Sequence, residues 1–326
     1  MQCRMYTLKF SLESTWSTHM NVLGIGSRKA RTGAEGNRKR LGVVAGIVAA
    51  LSLTLAACSS GSSETASESP AADASQVGRT MDEIKESGSV RIGVFADKAP
   101  FGSIDQSGNY AGYDIVYGDR IGKDLGVDVE YVPVEAASRV EFLESGKVDI
   151  ILANFTVTPE RQEKVDFANP YMKVSLGVAS PEDAPITKPE QLKDSKLVIV
   201  KGTTADSYLA ANYPDADVQK FEQYTEVTNS LLDGRADGWV TDNTEALAWT
   251  GAQKGFTTGI ASLGDEDTIA AAVAKGNTQL RDWLNQQLTD LAGEQFFHKD
   301  FDETLRPVYG DNISADELVV EGGKLS

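Results

Sequence analysis

Two short stretches place a cation or a hydroxyl beside backbone amides that a helix leaves unpaired. The first is Ala153-Asn154-Phe155-Thr156-Val157-Thr158-Pro159-Glu160-Arg161, directly after the apolar run from Val148 to Leu152. Thr158 suits the cap of a helix with Pro159 at its first position. Arg161 then falls in the first turn, where a guanidinium and free N–H groups together form a receptor for a carboxylate. The second, Lys201-Gly202-Thr203-Thr204-Ala205-Asp206, follows the run from Leu197 to Val200 and likewise opens a helix. Its amides and threonine hydroxyls suit an anion. Neither stretch is specific by itself, because caps of this composition are common and a first-turn arginine is most often a solvated surface group.

Other chemistry is sparse. Cys3 and Cys58 are the cysteines and His19 and His298 the histidines, and Cys3 and His19 precede a segment that reads as a signal peptide. That leaves no internal disulfide, no Cys/His metal site and no Cys-His dyad in the mature chain. His298 sits in an aromatic stretch near the C-terminus and reads as a packing or surface residue. No dinucleotide fingerprint, phosphate-binding loop or nucleophile elbow follows a strand, so the sequence predicts no cofactor and no metal.

The elements that must carry these residues alternate. The β-rich runs Val90 to Val94, Val127 to Val134, Val148 to Leu152 and Leu197 to Val200 are separated by helical patterns, which predicts an α/β fold with a largely parallel sheet. Tyr113, Tyr117, Ile121 and Leu125 recur every four residues before Gly126, and Leu280, Trp283, Leu284, Leu288 and Leu291 form a longer stripe; both are core-facing helix signatures.

The N-terminus has its own logic. Arg38-Lys39-Arg40 precedes an uncharged apolar run from Leu41 to Leu55, too short for a comfortable membrane span. Leu55-Ala56-Ala57-Cys58 resembles the lipobox of bacterial lipoproteins, which implies cleavage before Cys58, its acylation with fatty acid such as palmitate, and anchoring to the outer face of the cytoplasmic membrane. Residues 1–57 are thus read as an extension plus lipoprotein signal peptide, with Met1 or Met20 as the start, and 58–78 as a lipidated, disordered Ser/Ala/Gly/Glu-rich tether. Eight of the 31 Lys and Arg but two of the 48 acids lie in the first 57 residues, leaving 23 basic against 46 acidic residues beyond them. A body with that net of −23 repels nucleic acid and anionic headgroups, so no nucleic-acid partner is predicted.

The stretch from Val148 to Tyr171, with Gly112-Tyr113-Asp114-Ile115, resembles the family 3 extracellular solute-binding proteins. Within that family the chain is most similar to cysteine-binding components of ABC importers, on Gly93-Val94-Phe95, Pro100-Phe101-Gly102, the segment Glu135 to Leu143, Pro170 to Val174, Lys201 to Asp206, Gln295 to Lys299 and Glu321 to Lys324. Val116 departs from the acid usual at its position. The resemblance implies a two-lobed periplasmic-binding-protein type fold with a ligand cleft between the lobes and two hinge crossings, near Leu176 to Ser180 and Thr268 to Val273. Lobe 1 is then 79–177 plus the return segment 268–326, and lobe 2 is 178–267.

By the same resemblance Arg161 grips a ligand α-carboxylate with help from Thr156, the backbone at Ala153 and Asn154, and the turn Gly202, Thr203 and Thr204. Asp242 receives the α-ammonium. Arg139 matches a position that in some relatives faces the ligand side chain and Phe101 one that lines the pocket, although a paired arginine and a packed phenylalanine would read the same. The implied activity is capture of a small polar amino acid, cysteine foremost, by hinge closure, and its delivery as a monomer to an ABC permease. Aspartate or glutamate binding, an enzyme resembling cyclohexadienyl dehydratases and a surface adhesin are the alternatives.

Overall fold

A computed structural model describes residues 78–325 apart from Asn312. The signal segment, Cys58 and the tether lie outside the described residues. Among those described, no helix is long and apolar enough to cross a membrane.

The strands are β1 (Ser89–Val94), β2 (Asp97–Lys98), β3 (Gly102–Ile104), β4 (Tyr110–Ala111), β5 (Asp128–Pro133), β6 (Ile150–Ile151), β7 (Val165–Pro181), β8 (Lys196–Val200), β9 (Asp217–Phe221), β10 (Gly238–Asp242) and β11 (Phe256–Ala274). Eight of them form one sheet in the order β5-β1-β6-β11-β7-β10-β8-β9, and β2-β3-β4 make a small second sheet. The wings of the large sheet are parallel, β1 with β5 and β6 on one side and β8 with β9 and β10 on the other. The sheet departs from the largely parallel expectation at its centre, where the long strands β7 and β11 run antiparallel to each other. A chain that leaves one wing and later returns must traverse the middle in opposite senses.

Local signals account for the helices α1 (Met81–Ser87), α2 (Tyr113–Leu125), α3 (Arg139–Glu144), α4 (Pro159–Gln162), α5 (Thr204–Asn212), α6 (Tyr224–Leu232), α7 (Asn243–Ala252) and α8 (Thr278–Ala292). The Thr80 hydroxyl caps α1 and Glu83 answers it, completing a capping box. In α2 the predicted stripe Tyr113, Tyr117, Ile121 and Leu125 is buried, and Gly126 ends the helix in the left-handed conformation. Leu280, Leu284, Leu288 and Leu291 of α8 join the same core, packed with Ile92 and Val94 of β1 and the Tyr171 and Phe297 rings. The apolar run of β8 is buried from Leu197 to Val200 because both its faces are covered, Leu197 and Ile199 by Ala205 and Leu209 of α5 and Val198 and Val200 by Tyr224 and Val227 of α6.

This topology decides where chemistry can gather. In open α/β sheets the crevice beyond the carboxyl ends of parallel strands collects the loops. Here Lys98 lies just past the end of β1, Ala153 and Asn154 past β6, Gly202 past β8, and Asp242 closes β10.

Candidate functional site

The loop after β6 is the hub. Asn154 adopts a left-handed conformation with φ of 44°, uncommon for a residue with a side chain and affordable for asparagine. Its backbone N–H donates to Asp114 Oδ2 at 2.8 Å, and its Oδ1 accepts from Lys98 Nζ at 2.8 Å. The backbone after it pairs with β11, through Phe155 O accepting from Ala270 and Val157 N–H donating to Thr268 O, so buried Thr156 is held rigidly.

From that hub α4 starts as predicted, with the Thr158 hydroxyl accepting from Arg161 N–H and Pro159 in the first turn. The Arg161 guanidinium donates to Thr156 O at 2.8 Å and to Gly202 O at 3.0 Å, and lies 4.8 Å from the Phe155 ring centre. Arg139 meets it from α3. Its guanidinium donates to the carbonyls of Ala136, Ala153 and Gly202 at 2.9, 2.9 and 3.2 Å and stacks 4.3 Å from the centre of the same ring. Two cations therefore share one carbonyl. Burial and the neighbouring Arg161 push the Arg139 pKa down to about 9, which still leaves it charged at neutral pH.

The Gly202 turn is tightly specified. Its φ of +72° favours glycine, and a Cβ there would stand 2.6 Å from the Ala137 Cα. Its N–H donates to Asp206 Oδ2, while the Thr203 hydroxyl caps α5 and donates to Val200 O. Thr204 opens α5 and, with Arg161, Ser207 and Asp267, lines a cavity of about 420 Å³. Asp242 is not among the residues lining it.

The opposite end is anionic. Asp242 Oδ2 accepts from Lys98 Nζ at 2.8 Å, and Glu245 lies 3.3 Å from the same ammonium. The Tyr224 hydroxyl accepts at 3.2 Å. Lys98 is 1% exposed, its ammonium over the Phe95, Phe101 and Tyr224 rings. Burial opposes its charge, yet Asp242 and Glu245 outweigh burial and hold its pKa above the ordinary value. Burial pushes the Glu245 carboxyl up to about 7 against the pull of Lys98 and the Thr241 hydroxyl. It likewise pushes Asp114 up to about 7, against the hydrogen bonds from the Tyr171 hydroxyl and the Asn154 amide.

The structure thus brings Arg139, Ala153, Asn154, Thr156, Arg161 and Gly202 together in one bonded cluster and places Asp242 in a second one joined to it through Asn154. Phe101 is fully buried, under Lys98 on one side and packed in the core on the other. Arg139 spends its donors on backbone carbonyls. Lys98, Tyr224 and Glu245 were not anticipated. The signals were a lysine between Phe95 and Phe101 and an acid three residues after Asp242, on the first turn of α7. Among the described residues, no group of His, Cys, Asp and Glu is arranged to hold a metal ion.

Comparison with solved structures finds a cysteine-binding protein from Campylobacter jejuni, 52% identical with a TM-score of 0.73, covering 74% of this chain and 98% of that one. A solute receptor for L-cysteine of Neisseria gonorrhoeae is 46% identical with a TM-score of 0.73, covering 74% and 100%. An ABC transporter glutamine-binding protein of Bacillus subtilis is 30% identical over 248 residues, 74% of this chain and 88% of its own length. The family model of the bacterial extracellular solute-binding proteins, family 3, matches residues 90–299, and the chain belongs to that family.

Proposed function

We propose that the protein is the amino-acid-binding component of an ABC importer, with a neutral small polar amino acid, cysteine foremost, as its ligand and no turnover. The observation that carries this reading is the polarity of the crevice: two guanidinium groups converge at one end and two carboxylates at the other, linked through Asn154. A zwitterion needs a cation with amides for its carboxylate and an acid for its ammonium, both shielded from water. In this reading Arg161, with Thr156, Ala153, Asn154 and the Gly202-Thr203-Thr204 turn, serves the carboxylate, and the second oxygen of Asp242 serves the ammonium. Phe101 supports the wall beneath Lys98.

The commitment of Arg139 to the backbone carbonyls of Ala136, Ala153, Asn154 and Gly202 favours a neutral side chain over aspartate or glutamate, since it leaves no obvious cation for a second carboxylate. The cysteine-binding relatives favour cysteine among neutral ligands, and the glutamine-binding relative keeps the test open to larger amides. The proposed lobes are 79–177 with 268–326, and 178–267, hinged in β7 and β11. Supporting this, the pairing of β7 with β11 shifts register between Leu263 and Asp267, opposite Leu176 and Val174, and from Leu176 onward β7 also pairs with β10. Cys58 is proposed as the lipid anchor of a monomer; Cys58→Ala is expected to release the protein from the membrane fraction, and unchanged fractionation would contradict it.

Equilibrium dialysis against pooled amino acids, followed by analysis of the retained compound, tests the function. Stoichiometric retention of an unchanged neutral amino acid is expected. Conversion of the compound to a product, or retention of none, would overturn the reading.

A further inference from the structure

Lys98 is the one cation of the crevice paired with the acids that the proposed function reserves for the ligand. Its side chain reaches from β2 to Asp242 and Glu245 at β10 and α7. An ammonium has three N–H donors, and here Asn154 Oδ1, Asp242 Oδ2 and the Tyr224 hydroxyl accept them at 2.8, 2.8 and 3.2 Å. A lysine so saturated has no hand left for a ligand. Its effect on binding must be electrostatic.

Counting charges around Asn154 gives that effect a direction. Lys98, Arg139 and Arg161 face Asp114, Asp242 and Glu245, and because burial holds the Asp114 and Glu245 carboxyls at about 7, carboxylate charge does not exceed cationic charge here at neutral pH. A zwitterion with a neutral side chain enters without disturbing this balance. A ligand with a cationic side chain brings a charge that Asp242 and Glu245 would satisfy were Lys98 absent, but which Lys98 has already claimed. In a buried site an uncompensated charge is strongly disfavoured.

Resting on the reading of the crevice as a zwitterion site, we infer that Lys98 is a specificity-determining residue, a built-in counter-cation that occupies Asp242 and Glu245 and so excludes amino acids with cationic side chains. Its backbone neighbourhood supports a fixed position. Asp97, the preceding residue, accepts from Tyr224 N–H at 2.9 Å at the start of α6, and Phe95 packs edge-on against the Tyr224 ring at 5.2 Å. The ammonium is thus delivered by a docked strand.

Calorimetric titration of the wild-type protein and of Lys98→Met with L-cysteine, L-2,4-diaminobutyrate and L-arginine tests this. L-2,4-diaminobutyrate has a side chain only one atom longer than that of cysteine, ending in an ammonium. The wild type is expected to bind cysteine and to bind both cationic ligands about tenfold more weakly or worse. Lys98→Met is expected to shift the ratio of cationic to neutral affinity by about tenfold or more in favour of the cations. Lys98→Gln, which keeps an amide donor for Asn154 or Asp242, carries the same expectation if the methionine variant melts early. In Lys98→Met/Glu245→Gln the balance is restored, and the preference for the neutral ligand should return. Wild-type binding of 2,4-diaminobutyrate as tight as that of cysteine would overturn the inference, as would folded Lys98 variants with an unchanged preference, or a double variant that still takes cations. Failure of the wild type to bind any amino acid would instead overturn the zwitterion reading, and the inference with it.

Discussion

The two ends of the crevice solve the problem of a buried charge differently. At the arginine end, Arg139 and Arg161 are neutralised by dipoles, sharing the Gly202 carbonyl and drawing on Ala136, Ala153 and Thr156. At the other end Lys98 is neutralised by carboxyl groups, Asp242 at 2.8 Å and the more distant, partly protonated Glu245 at 3.3 Å. Carbonyl dipoles leave net positive charge available to an incoming carboxylate, whereas an ion pair leaves little net charge at all. The arginine end is therefore the attractive one, and the acidic end sets which ligands are tolerated.

The largest effects should come from cutting either contact proposed for the zwitterion. Arg161→Ala and Asp242→Ala are each expected to cost about 2–5 kcal/mol of binding, roughly 30- to several-thousand-fold in Kd, read by titration with melting curves to verify folding. Wild-type affinity in either folded variant would break the comparison at that end.

Arg139→Ala should act on the fold itself. Removing a buried charged donor takes away the guanidinium partner of the Ala136 and Ala153 carbonyls and leaves Gly202 O to Arg161 alone, an expected loss of about 3 kcal/mol in denaturant unfolding. Unaltered stability would mean that those carbonyls find other partners. Gly202→Ala combines a left-handed backbone with a contact to Ala137 and should weaken ligand binding by about 1–3 kcal/mol. It sharpens the comparison, because Gly202 is where the arginine end meets the β8 wing.

The acidic groups predict a pH dependence. Asp114 and Glu245 hold their protons up to about 7 when folded, above their ordinary values. The folded protein then binds more protons than the unfolded chain between those limits, so the contribution of these two groups to stability should fall as pH rises from about 4 to 7, and Asp300, pushed up to about 9 by burial, extends the fall beyond. Asp114→Asn should flatten that slope in unfolding measurements across this window; an identical slope would contradict the assignment.

The smallest effect lies away from the crevice. His298 joins Asp316 and Glu321 at 3.0 and 2.8 Å, and although partial burial opposes its charge, these acids raise its pKa. Its contribution should be present below its ordinary value of 6.5 and disappear as pH rises through the folded value. His298→Gln should remove that low-pH increment, by under about 1 kcal/mol.

How much of this the sequence disclosed follows from the range of the interactions. Arg161, Thr158 and the Gly202 turn were legible because strand, cap and first helical turn are written within ten residues. The stripes of α2 and α8 were legible for the same reason. Lys98 was not: it meets Tyr224 126 positions later and Asp242 144 positions later, and a lone lysine reads as a surface residue. Arg139 was recognised as a candidate, but its orientation depends on carbonyls from three separate loops. The antiparallel centre of the sheet was hidden because β7 and β11 are individually ordinary β-rich runs, and only their pairing reveals their sense.

The central claim, that two chemically opposite ends hold one zwitterion, is tested most directly by trimming the ligand rather than the protein. Titration with L-cysteine, with cysteamine, which lacks the carboxylate, and with 3-mercaptopropionate, which lacks the ammonium, isolates each end. The account predicts that cysteine binds and that each trimmed compound loses about 2–5 kcal/mol of affinity by stranding one charged partner. Binding of either trimmed compound about as tightly as cysteine would show that its missing group has no partner in the crevice and would contradict the account.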